Sequence, residues 1–360
     1  MTETRTATPE HKAEQFDKLR RIVVASLAGE THTEELLNAE IRTLQPAAAP
    51  DLEDADLERL ARLLTTQLTI VVDRGTSVTT REFKPWLEER KRSITWQRWI
   101  AYKQWLLNIG WAPRVVDRMD ELTDTILDFL GDPTIRTTDW QRRGLVLGDV
   151  QSGKTASYLG LFNKAVDAGY RLIIVLAGHT ESLRQQTQAR IDEGVIGRDS
   201  ARRAKIKSNE RPRYIGVGSL RKDLANGIGM TTVTTDFRTS SLEATSQEIG
   251  SNPSAPYFFV VKKHKGILEG VYTWLRDQRI KDNPLELPLL LLDDESDYAS
   301  INTREEVDPT AINNAIRDIL GLFSHASYLG FTATPFANIF IDHSNDEDLF
   351  PRDYIYSLES

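Results

Sequence analysis

The stretch Gly148-Asp149-Val150-Gln151-Ser152-Gly153-Lys154-Thr155 constrains this chain more than any other. Two glycines with four residues between them, then Lys and Thr, follow an apolar run at 144–147 and precede a helical pattern at 155–168. Strand, glycine-containing turn and helix in that order make a phosphate cradle. The glycines let backbone N–H groups turn inward, and the helix start adds its partial positive charge. In such a cradle Gly148, Val150, Gln151, Ser152, Gly153, Lys154, Thr155 and Ala156 surround the phosphates. Lys154 reaches the β and γ phosphates and the Thr155 hydroxyl ligates Mg²⁺. The expected cofactors are ATP and Mg²⁺. The bland alternative is a strand-to-helix turn carrying a surface lysine.

The 360 residues divide by texture. Residues 1–12 are polar and read as a disordered tail, without the basic-then-apolar order of a signal peptide. Residues 13–135 carry helical spacing, including Phe16, Leu19, Ile22 and Val23, then Leu57, Leu60, Leu63 and Leu64 after a Pro/Ala-rich joint at 45–50. The aromatic series Trp96, Trp99, Tyr102 and Trp105 is expected to fill a core rather than stack on bases. No strand is expected before Gly144. From there short apolar strands alternate with helices, at 144–147, 172–177, 258–261, 289–292 and 328–331, the rhythm of a parallel sheet covered on both faces. Gly169 is expected to close the helix at 155–168, and Asp308 to cap the one that follows it. The Ser/Thr-rich stretch 229–255 reads as a surface insertion. The expected fold is α/β, a lobe at 136–345 preceded by an all-α N-terminal domain.

A run of four leucines at 289–292 enters Asp293-Asp294-Glu295-Ser296-Asp297. In the Asp-Glu-x-Asp register Asp294 holds Mg²⁺, Glu295 activates the attacking water, and Asp297 couples the site to its neighbours. Asp293 is one acid more than that motif needs, so the register is open by one residue. Further on, Thr332-Ala333-Thr334 ends another strand, and its two hydroxyls are candidates to couple the acids to a groove. The expected catalytic set is Lys154, Asp294 and Glu295, with Thr155 and Asp294 at the metal. Asp297, Thr332 and Thr334 are the expected coupling residues.

Two further strand ends carry nucleic-acid candidates: Gly178, His179, Thr180 and Arg184 after one, Lys262 and Lys263 after another. A net charge of −8 denies the chain a bulk pull on nucleic acid, so any contact needs a local groove. No cysteine occurs, which excludes a disulfide framework and a thiolate nucleophile. No apolar run reaches the roughly 18–20 residues of a membrane span. The chain is expected to be cytoplasmic.

Phosphate loop, acidic motif and Thr-Ala-Thr in this order resemble the first RecA-like motor lobe of superfamily-two helicases and translocases. With Trp140-Gln141-Arg142-Arg143-Gly144, Asp167-Ala168-Gly169-Tyr170, Leu183-Arg184-Gln185-Gln186-Thr187-Gln188 with Arg190, and Asp293-Asp294-Glu295, the chain resembles the Z-one domain family. That resemblance implies an ATP-hydrolysing, helicase-like endonuclease or DNA translocase subunit in bacterial anti-phage defence. Its implied partners are DNA, and a methyltransferase, a nuclease or a heat-shock-type ATPase. It also implies a second lobe supplying a transition-state arginine. Residues 346–360 read as the start of a segment leading toward that lobe, the chain then being an N-terminal fragment with weak turnover of its own. No pair of carboxylates followed by Glu-x-Lys and no histidine cluster marks a nuclease centre. The rival reading is a nucleotide-dependent switch or adaptor acting on protein partners.

Overall fold

The computed structural model describes residues 9–26, 34–58, 60–61, 76–79, 84–147, 154–203, 212–241, 248–249, 254–294, 309–332 and 353–357. The expected phosphate loop 148–153, Asp308, Glu295, Asp297 and Thr334 lie outside them.

The described residues form an eight-stranded sheet. In chain order the strands are β1 (Thr76–Thr79), β2 (Trp140–Leu147), β3 (Leu172–Ala177), β4 (Ile228–Gly229), β5 (Tyr257–Val261), β6 (Leu289–Asp294), β7 (His325–Thr332) and β8 (Tyr354–Ser357). Their spatial order is β1-β8-β2-β7-β6-β3-β5-β4, all parallel except the edge pair β1–β8. The five expected strands are all present, each matching or extending the predicted span. The longer helices are α1 (Pro9–Ser26), α2 (Glu34–Ala48), α3 (Gln97–Asn108), α4 (Pro113–Phe129), α5 (Lys154–Ala168), α6 (Glu181–Ile191), α7 (Lys265–Asp277) and α8 (Pro309–Leu320).

Alternate residues of each central strand enter opposite cores, because successive side chains of a strand point to opposite faces. Ile173, Val175, Leu290, Leu292, Leu329 and Phe331 pack against α3, α4 and α5. Leu172, Ile174, Leu289, Leu291, Ala326 and Tyr328 pack against α7 and α8. Both faces are covered, which explains strands that are apolar throughout rather than alternating.

The expected boundary at 135/136 does not separate two cores. From Leu87 onward the helical stretch belongs to the sheet's own core, where Trp99, Tyr102, Met119 and Ile126 meet Tyr158, Phe162 and Val175. The aromatic series therefore fills a core, as expected, with Trp99 and Tyr102 buried and Trp96 and Trp105 at its margin. A separate small core joins α1, α2, the turn at 49–52 and the helical residues 54–58 and 60–61, built on Leu19, Val23, Leu37, Ile41 and Leu60. The binding of α3 to α5 is polar as well as apolar. Asp167, near the end of α5, accepts from the backbone N–H groups of Arg98 and Trp99 at 3.0 Å, supplying the N-cap that Trp96 cannot. The buried Lys164 ammonium of α5 pairs with Asp120 and, at 2.5 Å, Asp124 of α4, and lies 4.5 Å from the centre of the Trp99 ring.

Three further expectations are corrected. A strand does precede Gly144, since β1 pairs with β8, a long-range partner that no local pattern reveals. Tyr354–Ser357, expected to lead away from the lobe, instead pairs with β2 inside the sheet. The supposed surface insertion begins as structure: β4 pairs with β5, and Met230, Thr231, Thr232 and Phe237 are buried. There the Thr231 hydroxyl accepts from the backbone N–H of Val260 and donates to Gln188, so its polarity serves interior hydrogen bonds. Gly169, at φ +126°, closes α5 as expected.

Gly144 is the tightest point of the β2–β8 seam. The Tyr354 ring, stacked on Phe129 with centroids 5.0 Å apart, occupies the space where a side chain would stand. A Cβ at Gly144 would lie 1.9 Å from Tyr354 Cζ. Gly144→Ala is expected to lower stability by about 1–3 kcal/mol in urea denaturation. In a Tyr354→Ala background the same change should cost clearly less, a coupling that additive losses would contradict.

Candidate functional site

Parallel strands bring their carboxyl ends to one edge. Register places Leu147 beside Thr332, Phe331 beside Asp294, and Asp294 beside Ala177. The end of the strand feeding the phosphate loop and the end of the acidic strand are therefore separated by β7 alone, roughly 10 Å at two strand spacings. Helix α5 begins at Lys154, on the same edge, so its N-terminus faces the segment in which the loop is expected.

Strand alternation places the two aspartates on opposite faces of the sheet. Asp294 shares the parity of Leu290 and Leu292, which pack with α5. Asp293 shares that of Leu289 and Leu291, on the opposite face. Asp293 is buried, lies 2.5 Å from the Lys263 ammonium, and accepts from the Tyr328 hydroxyl at 3.0 Å. It is an internal anchor, whereas Asp294 is half-buried at the edge. Of the two acids, Asp294 is therefore the one on the α5 face of the sheet. By the same alternation Thr332 falls on the face away from α5, and it is buried. As a coupling residue it would act through packing rather than by facing a groove.

Thr155 is in the first turn of α5, and its hydroxyl accepts a hydrogen bond from the Arg190 guanidinium at 2.8 Å. Tyr158, one turn along the same helix face, is buried with Thr155 and Thr187 in hydrogen-bonding reach of its hydroxyl and Asp294 near it. Burial first, and then the Asp294 charge, push the Tyr158 phenol far above its ordinary pKa, so it stays a neutral donor. The Tyr102 hydroxyl donates to the Ala156 carbonyl at 3.1 Å, holding the first turn from the α3 side. Tyr158 escaped the motif reading, and Arg190 entered it only through the resemblance, with no role at the site. The i, i+3 spacing of Thr155 and Tyr158 was available as a signal, but the approach of Arg190 depends on how α6 packs.

A hydroxyl on the first helical turn and a half-buried carboxylate at a neighbouring strand end suit Mg²⁺, which commonly takes one or two protein oxygens and fills its other positions with phosphate and water. Among the described residues no group of three or more His, Asp or Glu is placed to hold a metal.

The nucleic-acid candidates come together in space but not as a free cationic surface. Gly178, at φ +67°, offers its carbonyl to the backbone N–H of Lys263 at 2.8 Å, joining the two loops. His179 and Thr180 are exposed, and the Thr180 side chain caps α6 by accepting from Leu183 N–H. Arg184 is a correction: its side chain is fully buried, bonded to Glu181 and to the carbonyls of Thr232 and Val233 at 2.9 Å. Lys263 is another, buried against Asp293. Lys262 reaches the solvent edge but lies 3.1 Å from Glu181. Burial alone would raise the Glu181 pKa, yet the bonds from Arg184 and Lys262 outweigh it and hold the carboxylate below its usual range.

Helix α6 ends in a wide turn, Asp192–Ile196, pinned by Asp192. That carboxylate accepts from Gln188 at 2.9 Å and from both the backbone N–H and hydroxyl of Ser200. Compared with models of known protein families and with curated proteins, the chain matches none. Among the described residues no helix is long and apolar enough to cross a membrane.

Two predictions follow from the buried charges. Lys263→Met should destabilise the protein by about 3–5 kcal/mol, because it strands a buried carboxylate. The pair Lys263→Met with Asp293→Asn should recover most of that loss in urea denaturation. Burial pushes the Asp192 carboxyl up to about 6, against the bonds from Ser200 and Gln188 that favour its charged form. The folded state therefore binds this proton more tightly than the unfolded chain. The residue's contribution to stability is full below about pH 4 and is lost as pH rises through 6. Relative to wild type, Asp192→Asn should gain about 1–3 kcal/mol between pH 4 and pH 7. A pH-independent difference in melting temperature would contradict the assignment.

Proposed function

We propose that this chain is an ATP-binding RecA-like motor lobe of a superfamily-two helicase-like protein, related to the Z-one domain proteins. One observation carries the reading: Thr155 at the start of α5 and Asp294 at the end of β6 share one sheet edge, with Asp294 on the α5 face. Ligands of open α/β sheets bind outside the carboxyl ends of the strands, the edge at which Asp294 lies. In this reading the N–H groups of 148–153 and Lys154 bind the phosphates, and Thr155 and Asp294 hold Mg²⁺. Glu295 orients and deprotonates water. A metal held by Thr155 and Asp294 would neutralise charge on the phosphates.

DNA as the substrate, and a place in anti-phage defence as a translocase or endonuclease subunit, rest on the resemblance of the motifs. The pairing of Lys262 and Arg184 with Glu181 favours a second reading, a nucleotide-controlled switch that acts on protein partners. ATP hydrolysis measured in the presence of the second lobe that the resemblance implies, with and without single- and double-stranded DNA, separates the two. DNA-stimulated turnover is expected from a motor, and turnover indifferent to DNA would leave the switch. Glu295→Gln should cut hydrolysis by about 10²–10⁴-fold while nucleotide binding persists. Lys154→Ala should abolish binding, and an unaltered affinity in that variant would remove the phosphate-loop assignment.

A further inference from the structure

The hydroxyl that the phosphate-loop reading assigns to the metal already has a cationic partner. Arg190 extends from the last turn of α6 and donates to Thr155 Oγ1 at 2.8 Å. An oxygen bonded to a guanidinium is a poor place for a divalent cation, since two positive charges would then face each other across one atom. Metal binding at Thr155 therefore requires Arg190 to leave. Its side chain is exposed and free of burial constraints on rotation. Its backbone is not free, because two residues on the buried Asp192 is tied to Gln188 and Ser200. Gln188 in turn accepts from Thr231, whose hydroxyl also bonds the backbone of β5. A fixed helix end thus carries an exposed cation that reaches the first turn of α5.

We propose that Arg190 is a positioning cation that holds the Thr155 hydroxyl in the nucleotide-free protein and transfers to the nucleotide's phosphates when Mg²⁺ takes that hydroxyl. The inference rests on the phosphate-loop reading and adds to it a competitor for the metal, built into the same lobe. A triphosphate bound at this edge would offer Arg190 a strong anionic partner, since guanidinium groups pair with phosphate oxygens through short charge-assisted bonds. Glu193, which interacts with Arg190 through charge, is the resting alternative on the same turn. An arginine so placed distinguishes a loaded site from an empty one through its own position.

Calorimetric titration of the purified chain with a non-hydrolysable ATP analogue and with ADP, across a series of MgCl₂ concentrations, tests this without relying on turnover. Arg190→Ala is expected to lower the Mg²⁺ concentration for half-maximal binding by about 3–10-fold, and to reduce the preference for triphosphate over ADP by about 10-fold. Arg190→Lys should restore part of that preference. Because an exposed hydrogen bond of this kind adds little to stability, the melting temperature of nucleotide-free Arg190→Ala should stay near that of wild type. Wild-type Mg²⁺ dependence and triphosphate preference in Arg190→Ala, with binding lost in Lys154→Ala, would overturn the proposal and leave the phosphate-loop reading standing. Absence of nucleotide binding in the wild-type chain would overturn both.

Discussion

Parallel strand pairing is the constraint on which the rest of this protein depends. A parallel neighbour cannot be reached by a tight turn, so each connection crosses the sheet and returns to the same end. Seven strands paired in this way deliver Leu147, Thr332, Asp294, Ala177 and Val261 to a single edge, though they are scattered over more than half of the chain. Hydrogen-bond register then fixes which residue stands beside which. A slip of one residue in β6 would exchange Asp293 with Asp294, burying the edge acid and exposing the anchor. Because leucines fill both cores before them, it is the contact of Asp293 with Lys263 and Tyr328, rather than the apolar pattern, that opposes the slip.

The two faces of the sheet carry different polar devices at comparable depth. On the α5 face, Lys164 is sealed between Asp120, Asp124 and the Trp99 ring, and Asp167 caps α3. These contacts hold the helix whose first turn bears Thr155. On the other face the Lys263–Asp293 pair, with the Tyr328 hydroxyl, ties the end of β5 to the ends of β6 and β7. Removing one partner of such a pair costs more than removing both, because the remaining charge is left in a low-dielectric interior. Arg184 follows the same logic, its guanidinium spread over Glu181 and two carbonyls of 232–233. Basic residues at strand ends here serve largely as internal fasteners.

That use of charge bears on how the edge can work. Around Thr155 the described cation with freedom to move is on an exposed side chain, that of Arg190, whereas Lys263 and Arg184 are immobilised. Tyr158, neutral because burial disfavours its anion, lies between Thr155, Thr187 and Asp294. It gives α5, α6 and β6 a common contact behind the edge.

Much of this was legible locally. Residues 172–177 and 289–292 announce strands because β-branched and leucine-rich runs bounded by turns have few other uses, and Gly169 marks a helix end because only glycine adopts its φ cheaply. The glycine-lysine-threonine turn and the acidic strand end were visible for the same reason, as short motifs whose chemistry depends on neighbours in sequence. Tertiary structure alone decided what depends on distant partners. Pairing of β1 with β8, the place of Tyr354 over Gly144, and the merging of 87–129 with the sheet core join segments far apart in the chain. Burial of Lys263 and Arg184 was equally hidden, since a lysine or arginine reads as a surface charge until a carboxylate or carbonyl is folded against it. Spacing in the sequence named the chemistry of each strand end, and only the register of the sheet determined which of those ends face one another.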